Sequence, residues 1–342
     1  MSEEETKPKH RARRKKEDKP TPAKGLLDAL AFIKPCQKKK GTLEQTHCLI
    51  QANWMVASDG IMTIATPVQE DLTACPQSSL LEEALKKSKG ELSITQLSDE
   101  ALSVSSGSLK ITVPCEPTSA LNISGPDPQR GVADFRLKEA LKDLAPIATE
   151  GAADAINACV LIDGVNAVAT NNHLILEIEH GVNLPNNILV PKAACAAVGK
   201  CKKLLTGFGF SGSSCTFWFE DGSFIKTQLF DSKYPNYQIH LENEDALFAP
   251  IPESFFEAIA AVKDHSTTSV VYVKDSGIWS DNLESSYQVE GLIGDMGINF
   301  KYLTLVKSSI ENICFDSEQN KLFFFDHDRR GMIMGVEKAT EV

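Results

Sequence analysis

HCLIQANWMVASDGIMTIATP, residues 47–67, alternates apolar and polar side chains and then breaks at Asp59-Gly60, the pattern of strands joined by a tight turn. The same shape returns at 157–178, NACVLIDGVNAVATNNHLILEI, with Asp163-Gly164 as its turn, and at 269–290, SVVYVKDSGIWSDNLESSYQVE, with Asp275-Ser276-Gly277. The three runs begin 110 and 112 residues apart. A second set of strand-like runs lies at 91–115, 208–230 and 311–336. Recurrence at a fixed long period marks a repeated supersecondary unit, so the chain reads as three copies of a module of about 111 residues.

Helical apolar spacing fills the intervals. Six segments carry it: Leu26, Leu27, Leu30, Ile33; Leu80, Leu81, Ala84, Leu85; Phe135, Leu137, Leu141, Leu144; Pro191 through Ala194, Val198, Leu204 and Leu205; Phe255, Phe256, Ile259, Ala260, Val262; and Phe300, Leu303, Leu305, Val306. Each module then holds a helix, strands, a second helix and more strands. Strands with one apolar face need a cover, and two helices per module supply it, which makes the fold class α+β. Ser124-Gly125-Pro126-Asp127-Pro128 and Glu242-Asn243-Glu244-Asp245 suit the joints, giving modules at 25–127, 128–247 and 248–342.

The chain has 342 residues and a net charge of −11. Residues 1–24 run the other way, with nine basic and five acidic side chains and almost nothing apolar; they read as a disordered basic arm. The six helical segments, 26–40, 79–90, 134–144, 191–205, 253–264 and 299–310, sum to +8, leaving −23 for strands and loops. If the helices share one surface, that surface attracts phosphates without reading bases, and the opposite surface repels them. The fifth helix, at −2, breaks the pattern, and lysines also favour exposed helix positions on propensity alone. Nine cysteines without C-x-x-C spacing, and no secretory or membrane-length apolar run, fit a reduced, cytoplasmic setting and call for no metal or other cofactor.

Signals of catalysis are weak. Gly207-Phe208-Gly209-Phe210-Ser211-Gly212 matches G-x-G-x-x-G, but it follows a helix and enters a strand, the reverse of a dinucleotide site. No G-x-x-x-x-G-K-[ST] loop exists. Asp326-His327-Asp328 falls where a hairpin turn is expected, and His47-Cys48 are strand neighbours that point to opposite faces. The chain reads as a non-catalytic protein.

Six short motifs carry a resemblance to the bacterial DNA polymerase III beta subunit family, the beta sliding clamps. Val190-Pro191-Lys192 after Asn187-Ile188-Leu189 resembles its I-V-P-x-K, and Ala169-Thr170-Asn171-Asn172-His173-Leu174 its A-T-D-G-H-R-L. Phe230-Asp231-Ser232-Lys233-Tyr234-Pro235-Asn236-Tyr237 is similar to D-G-x-F-P-D-Y, and Gly297-Ile298-Asn299-Phe300-Lys301-Tyr302-Leu303 to I-G-F-N-x-x-Y-L. Met332-Ile333-Met334-Gly335-Val336 stands where the family ends in V-V-M-P-M, and Lys40-Gly41-Thr42-Leu43 resembles R-P-T-L. The motifs keep the family's order from about residue 25 to 338.

The resemblance implies three tandem clamp domains, each two helices on antiparallel sheets, with two copies closing head to tail into a homodimeric ring around double-stranded DNA. It implies a DNA polymerase, a clamp loader and other clamp-binding-motif proteins as partners, and no membrane. Lys40 stands at the family arginine of R-P-T-L, with Lys38 and Lys39 beside it. Lys86, Lys87, Lys142, Lys200, Lys202, Lys203 and Lys301, with Lys89, Lys138 and Lys307, could line the hole. The family's partner-peptide pocket carries over to Ile156, Thr170, His173, Leu174, Ile175, Pro235, Ile239, Met332, Met334 and Val336. Asn172 replaces a glycine, Leu174 and Ile239 replace arginines, Gly335 replaces a proline, and Ala339-Thr340-Glu341-Val342 runs past the usual end. These departures point to an altered peptide preference and a phage-encoded, plasmid-encoded or paralogous member. The family's first strand has no apolar counterpart in 17–25. Two other readings differ in kind: a monomeric clamp-like adaptor that binds peptides without encircling DNA, and a metal-dependent DNA-processing enzyme using Asp326, His327 and Asp328.

Overall fold

A computed structural model describes residues 23–149, 154–243 and 246–337. Residues 1–22 of the basic arm, and the tail from 338, lie outside the described residues. The first repeat comprises α1 (Lys24–Ile33), a short α2 (Leu43–Thr46), β1 (Leu49–Gln51), β2 (Trp54–Ser58), β3 (Met62–Pro67), β4 (Cys75–Pro76), α3 (Ser78–Lys87), β5 (Ser93–Ser98), β6 (Ala101–Ser106) and β7 (Leu109–Glu116). The second comprises β8 (Gln129–Val132), α4 (Phe135–Leu144), β9 (Cys159–Asp163), β10 (Asn166–Thr170), β11 (Leu174–Glu179), β12 (Ile188–Pro191), α5 (Lys192–Lys200), β13 (Leu205–Phe210), β14 (Ser214–Phe219) and β15 (Phe224–Gln228). A one-turn α6 (Gln238–Leu241) precedes the third: β16 (Ala249–Pro250), α7 (Phe255–Val262), β17 (Val270–Lys274), β18 (Gly277–Ser280), β19 (Ser286–Gln288), β20 (Met296–Asn299), α8 (Phe300–Val306), β21 (Asn312–Asp316), β22 (Lys321–Asp326) and β23 (Arg329–Met334). The second and third repeats share one element order. The first lacks, among the described residues, only a strand ahead of its helix.

The turns follow from local chemistry. Ala52 (φ 51°) and Asn53 (φ 62°), and again Asp275 (φ 50°) and Ser276 (φ 53°), place two successive residues in the left-handed region, the hairpin geometry that matches strand twist. Asp59 accepts the N–H groups of Ile61 and Met62 through Oδ1 and so fixes the second turn of the first run.

The repeats are joined by shared sheets. A seven-stranded sheet runs β1-β2-β3-β15-β14-β13-β8, so the first half of repeat one continues into the second half of repeat two through β3 and β15. An eight-stranded sheet, β12-β9-β10-β11-β23-β22-β21-β16, joins repeats two and three in the same way through β11 and β23. Two four-stranded sheets remain, β4-β7-β6-β5 in repeat one and β19-β18-β17-β20 in repeat three. The linker between repeats one and two is pinned by Asp127, whose buried carboxylate accepts from Ser214 Oγ at 2.8 Å and Thr216 Oγ1 at 2.9 Å.

Helices α1, α4 and α5 pack on one face of the two large sheets, where Leu26, Ile33, Met55, Ile64, Leu141, Val198, Phe208 and Phe217 belong to a single buried cluster. Several helix limits differ from the sequence reading. The first helix stops at Ile33 and tightens into one 3₁₀ turn through Pro35, so Lys38–Lys40 sit in the following loop. The fourth ends at Lys200, with Cys201 extended; Leu204 is 57% exposed and Leu205 opens β13. Phe135, at 64% exposure, and Leu80, at 37%, are surface residues and not part of the buried faces assigned to them. Gly207–Phe210 of the glycine-rich motif lie within β13 itself, and Asp326–Asp328 form the β22–β23 turn.

His180 follows β11 and is 1% exposed. Its Nδ1 accepts the Val182 N–H at 3.1 Å, and Nε2 has no partner among the described residues. Burial, aided by nearby Arg136, pushes its pKa down from 6.5 to about 4. The folded protein therefore holds a neutral ring that the unfolded chain would protonate. Stability from this group is intact above about pH 6.5 and drains away as pH falls toward 4, by roughly 3 kcal/mol in full. Urea unfolding across that window should show His180→Gln losing less stability on acidification than the parent; equal slopes would rule out His180 as the cause.

Candidate nucleic-acid and peptide interfaces

Two surfaces carry the candidate residues: the helix layer and the opposite, outer face of the eight-stranded sheet. On the helix layer the cations divide into spent and free. Lys86 pairs with Glu82, Lys87 with Glu83 at 2.6 Å, and Lys142 with Glu139 at 2.7 Å, each one helical turn away. Lys138 donates to the Lys203 carbonyl at 3.0 Å. Lys203 is not a free lining cation: its ammonium is held by Asp221 at 2.7 Å, Ser223 Oγ at 2.7 Å and Thr66 Oγ1 at 2.9 Å, and sits 4.0 Å from the centre of the Phe32 ring. It bolts the first two repeats together. Lys34, Lys38, Lys39, Lys40, Lys89, Lys200, Lys202 and Lys301 are exposed and belong to no ion pair among the described residues. Lys34, Lys200 and Lys202 rim a groove of about 880 Å³ between α1 and α5, floored by Ala31, Phe32, Ala193 and Ala197.

The outer face of the eight-stranded sheet carries a separate apolar cluster: Cys159, Leu161, Val168, Ile175, Leu189, Phe323 and Met332, with Tyr234 and Tyr237 laid over it. Ile156 and Met334 pack at its margin, half-buried. Cross-strand pairing sets the order, since Thr170 faces Ile175, Ile175 faces Met332, and Met332 faces Phe323. Next to this row, the buried Glu177 accepts from Arg330 Nε at 2.7 Å and Nη2 at 3.3 Å, tying repeat two to repeat three across the joint. The Arg330 guanidinium is held charged by this carboxylate. Burial pushes the Tyr234 and Tyr237 hydroxyls well above the ordinary phenol range, so both stay protonated.

Most carried-over pocket residues meet at this joint. Thr170, Ile175 and Met332 line it; Pro235 and Ile239 are exposed on the flanking segment, Ile239 at 58%. His173 is exposed, stacks on Tyr302 of α8 at 6.0 Å, and its carbonyl accepts the Met334 N–H at 2.7 Å. Val336 donates to the Gly297 carbonyl at 2.8 Å. Leu174 does not line the pocket: it is fully buried, faces Ile333 and belongs to the helix-side core, because the side chains of neighbouring strand residues alternate faces. Asn172, at the family glycine, has φ 70°, a conformation that asparagine tolerates better than most residues. Sequence reasoning missed Cys159, Leu161, Val168, Leu189, Phe323 and the two tyrosines; their period-two spacing along β9, β10 and β12 was the available signal.

No family model matches the chain, and no curated protein does. Solved structures do match. The Helicobacter pylori beta clamp bound to a DNA ligase peptide superposes with a TM-score of 0.76 at 14% identity, covering 91% of this chain and 97% of that one. The Bacillus subtilis DNA polymerase sliding clamp gives 0.77 at 13% identity, with coverage of 93% and 98%. The Pseudomonas aeruginosa DNA polymerase III subunit beta gives 0.77 at 14%, with 92% and 98%. The chain has the sliding-clamp fold along nearly its whole length.

Proposed function

We propose that the chain is a DNA sliding clamp: a non-catalytic ring subunit that encircles duplex DNA and tethers a replicative polymerase through the apolar surface where repeats two and three meet. The observation that carries this reading is the unfinished strand pairing. Two joints follow one rule, in which the last strand of a first-half sheet pairs with the last strand of the next repeat's second half, as β3 does with β15 and β11 with β23. The rule leaves two open edges among the described residues: β19 pairs there only with β18, and β7 pairs with β6 and meets β4 only at Cys115 and Glu116. Joining β19 of one copy to β7 of another applies the rule twice more and closes two chains into a ring of six repeats, a closed cyclic assembly. Modules at 25–127, 128–247 and 248–342 would be its six domains in pairs.

The free lysines of the helix layer would meet phosphates, giving salt-dependent binding without sequence readout. The margin of this cluster, the exposed Pro235 and Ile239 with the half-buried Met334, would take aliphatic and aromatic side chains of a partner peptide, above the buried Thr170–Ile175–Met332–Phe323 row. Methionines suit a surface that accepts several peptides. Holding the polymerase beside its template raises its effective concentration.

The protein, loaded by a clamp loader on nicked circular DNA, should stay bound through a salt wash and leave once the circle is linearised. Its solution mass should be that of two chains. A monomeric mass with no retention would select the adaptor reading; retention after linearisation would sink topological holding.

A further inference from the structure

The outer face of the seven-stranded sheet carries an apolar stripe that the clamp reading leaves unused. One cross-strand row crosses all seven strands: Leu49 faces Val56, Val56 faces Ala65, Ala65 faces Phe224, Phe224 faces Trp218, Trp218 faces Gly207, and Gly207 faces Val132. Beside it stands Trp54, whose ring lies 6.1 Å from Phe224, while Trp218 lies 5.3 Å from Phe224 on the other side. Both indoles are half-buried, and Val132 is 75% exposed. The next row along, Ser58, Thr63, Lys226, Thr216 and Gly209, is polar and is where the Asp127 linker seats. The equivalent face of the eight-stranded sheet is covered by its own chain, through Tyr234-Pro235-Asn236-Tyr237. No described segment covers Trp54 and Trp218 in that way.

We propose that residues 1–22 of the same chain dock on this stripe. Their few apolar groups include Pro8, Pro20 and Pro22, set among Lys7, Lys9, Arg11, Arg13, Arg14, Lys15, Lys16 and Lys19. Aromatic-lined surfaces take proline-rich segments, and guanidinium and ammonium groups sit over indole faces. Charge points the same way: the arm is basic, whereas Glu70 and Glu220 near the stripe are in no ion pair among the described residues. The chain is also placed to reach. Ala23 opens α1, which packs on β2 and β3, two of the strands that carry the stripe. Twenty-two residues extend to about 79 Å at most, more than enough to pass around one module.

A photo-reactive amino acid at His10 of the full chain, between Pro8 and Arg11, tests it. The expected adducts fall within residues 54–67 or 218–224 of the same chain, and are lost in about 1 M salt, where the Debye length is about 3 Å. Trp218→Ala or Glu220→Lys should abolish them, the second without disturbing the sheet. In a Trp279→Phe background, Arg11, Arg13, Arg14, Lys15 and Lys16 changed to Ser should red-shift the emission of Trp54 and Trp218. Adducts on the helix layer, only on added duplex DNA, only between differently labelled copies, or none at all would overturn the proposal.

Discussion

Gly331→Val should destabilise the protein by about 3 kcal/mol and uncouple repeat three from repeat two. Gly331 lies in β23 and faces Leu176 of β11 and Phe324 of β22. A Cβ there would run into the Ile175 carbonyl oxygen and the Phe324 ring. Neither can give way cheaply. The carbonyl belongs to the sheet joint, and Phe324 is 1% exposed in the helix-side core. Overpacking of this kind costs roughly 1–3 kcal/mol where side chains can adjust, and the upper end is expected where backbone is involved. Because the clash is at the joint, denaturant unfolding should change from one transition toward two. Gly125→Ala, which meets nothing within 4 Å, is the matched control and should stay within about 0.5 kcal/mol of the parent. An unchanged midpoint for Gly331→Val would mean that the joint is looser than its pairing indicates.

The threefold repeat was legible because its cues are local. Asp163-Gly164 and Asp275-Ser276 mark the equivalent first turns of repeats two and three, whose counterpart in repeat one is Ala52-Asn53, while Asp59-Gly60 marks the next turn, β2–β3; backbone sterics act on these few residues whatever the rest of the chain does. Helix ends were less legible because distant contacts set them. The apolar spacing through Val198, Leu204 and Leu205 favours a longer helix, yet α5 stops at Lys200. Its Gly199 lies against the Lys142 backbone of α4, and Lys203 is drawn into partners 20 and 137 positions away. The pocket was half legible for a related reason. Leu174, Ile175 and Leu176 are all apolar, since central strands are buried on both faces, so composition cannot say which one faces out. Only the register with Ile333 and Met332 decides it. Charge misled most, because a lysine's count is visible in sequence while its partner is not. Lys86 and Lys87 have their glutamates four residues away, in plain view, but Lys203 finds Asp221 only in the fold.

That distinction between spent and free cations fixes the second large effect. If the helix layer faces a duplex, Lys200→Glu, Lys202→Glu and Lys301→Glu together should weaken DNA binding by about 10³-fold near 0.1 M salt, with the two-chain mass unchanged. In a ring of two chains the triple change removes six cations that carry no competing carboxylate. Each phosphate contact contributes about 0.9 to the slope of log affinity against log salt, so the slope should fall by about 5. The matched set Lys86→Glu, Lys87→Glu and Lys142→Glu makes the same change in net charge. It reverses cations already engaged by Glu82, Glu83 and Glu139, so its slope should change far less. Fluorescence anisotropy on duplex DNA over a salt series reads both. Equal losses in the two sets would show that only overall charge matters. No loss in the first set would mean that the helix layer does not face the phosphates, and the ring reading would lose its electrostatic basis.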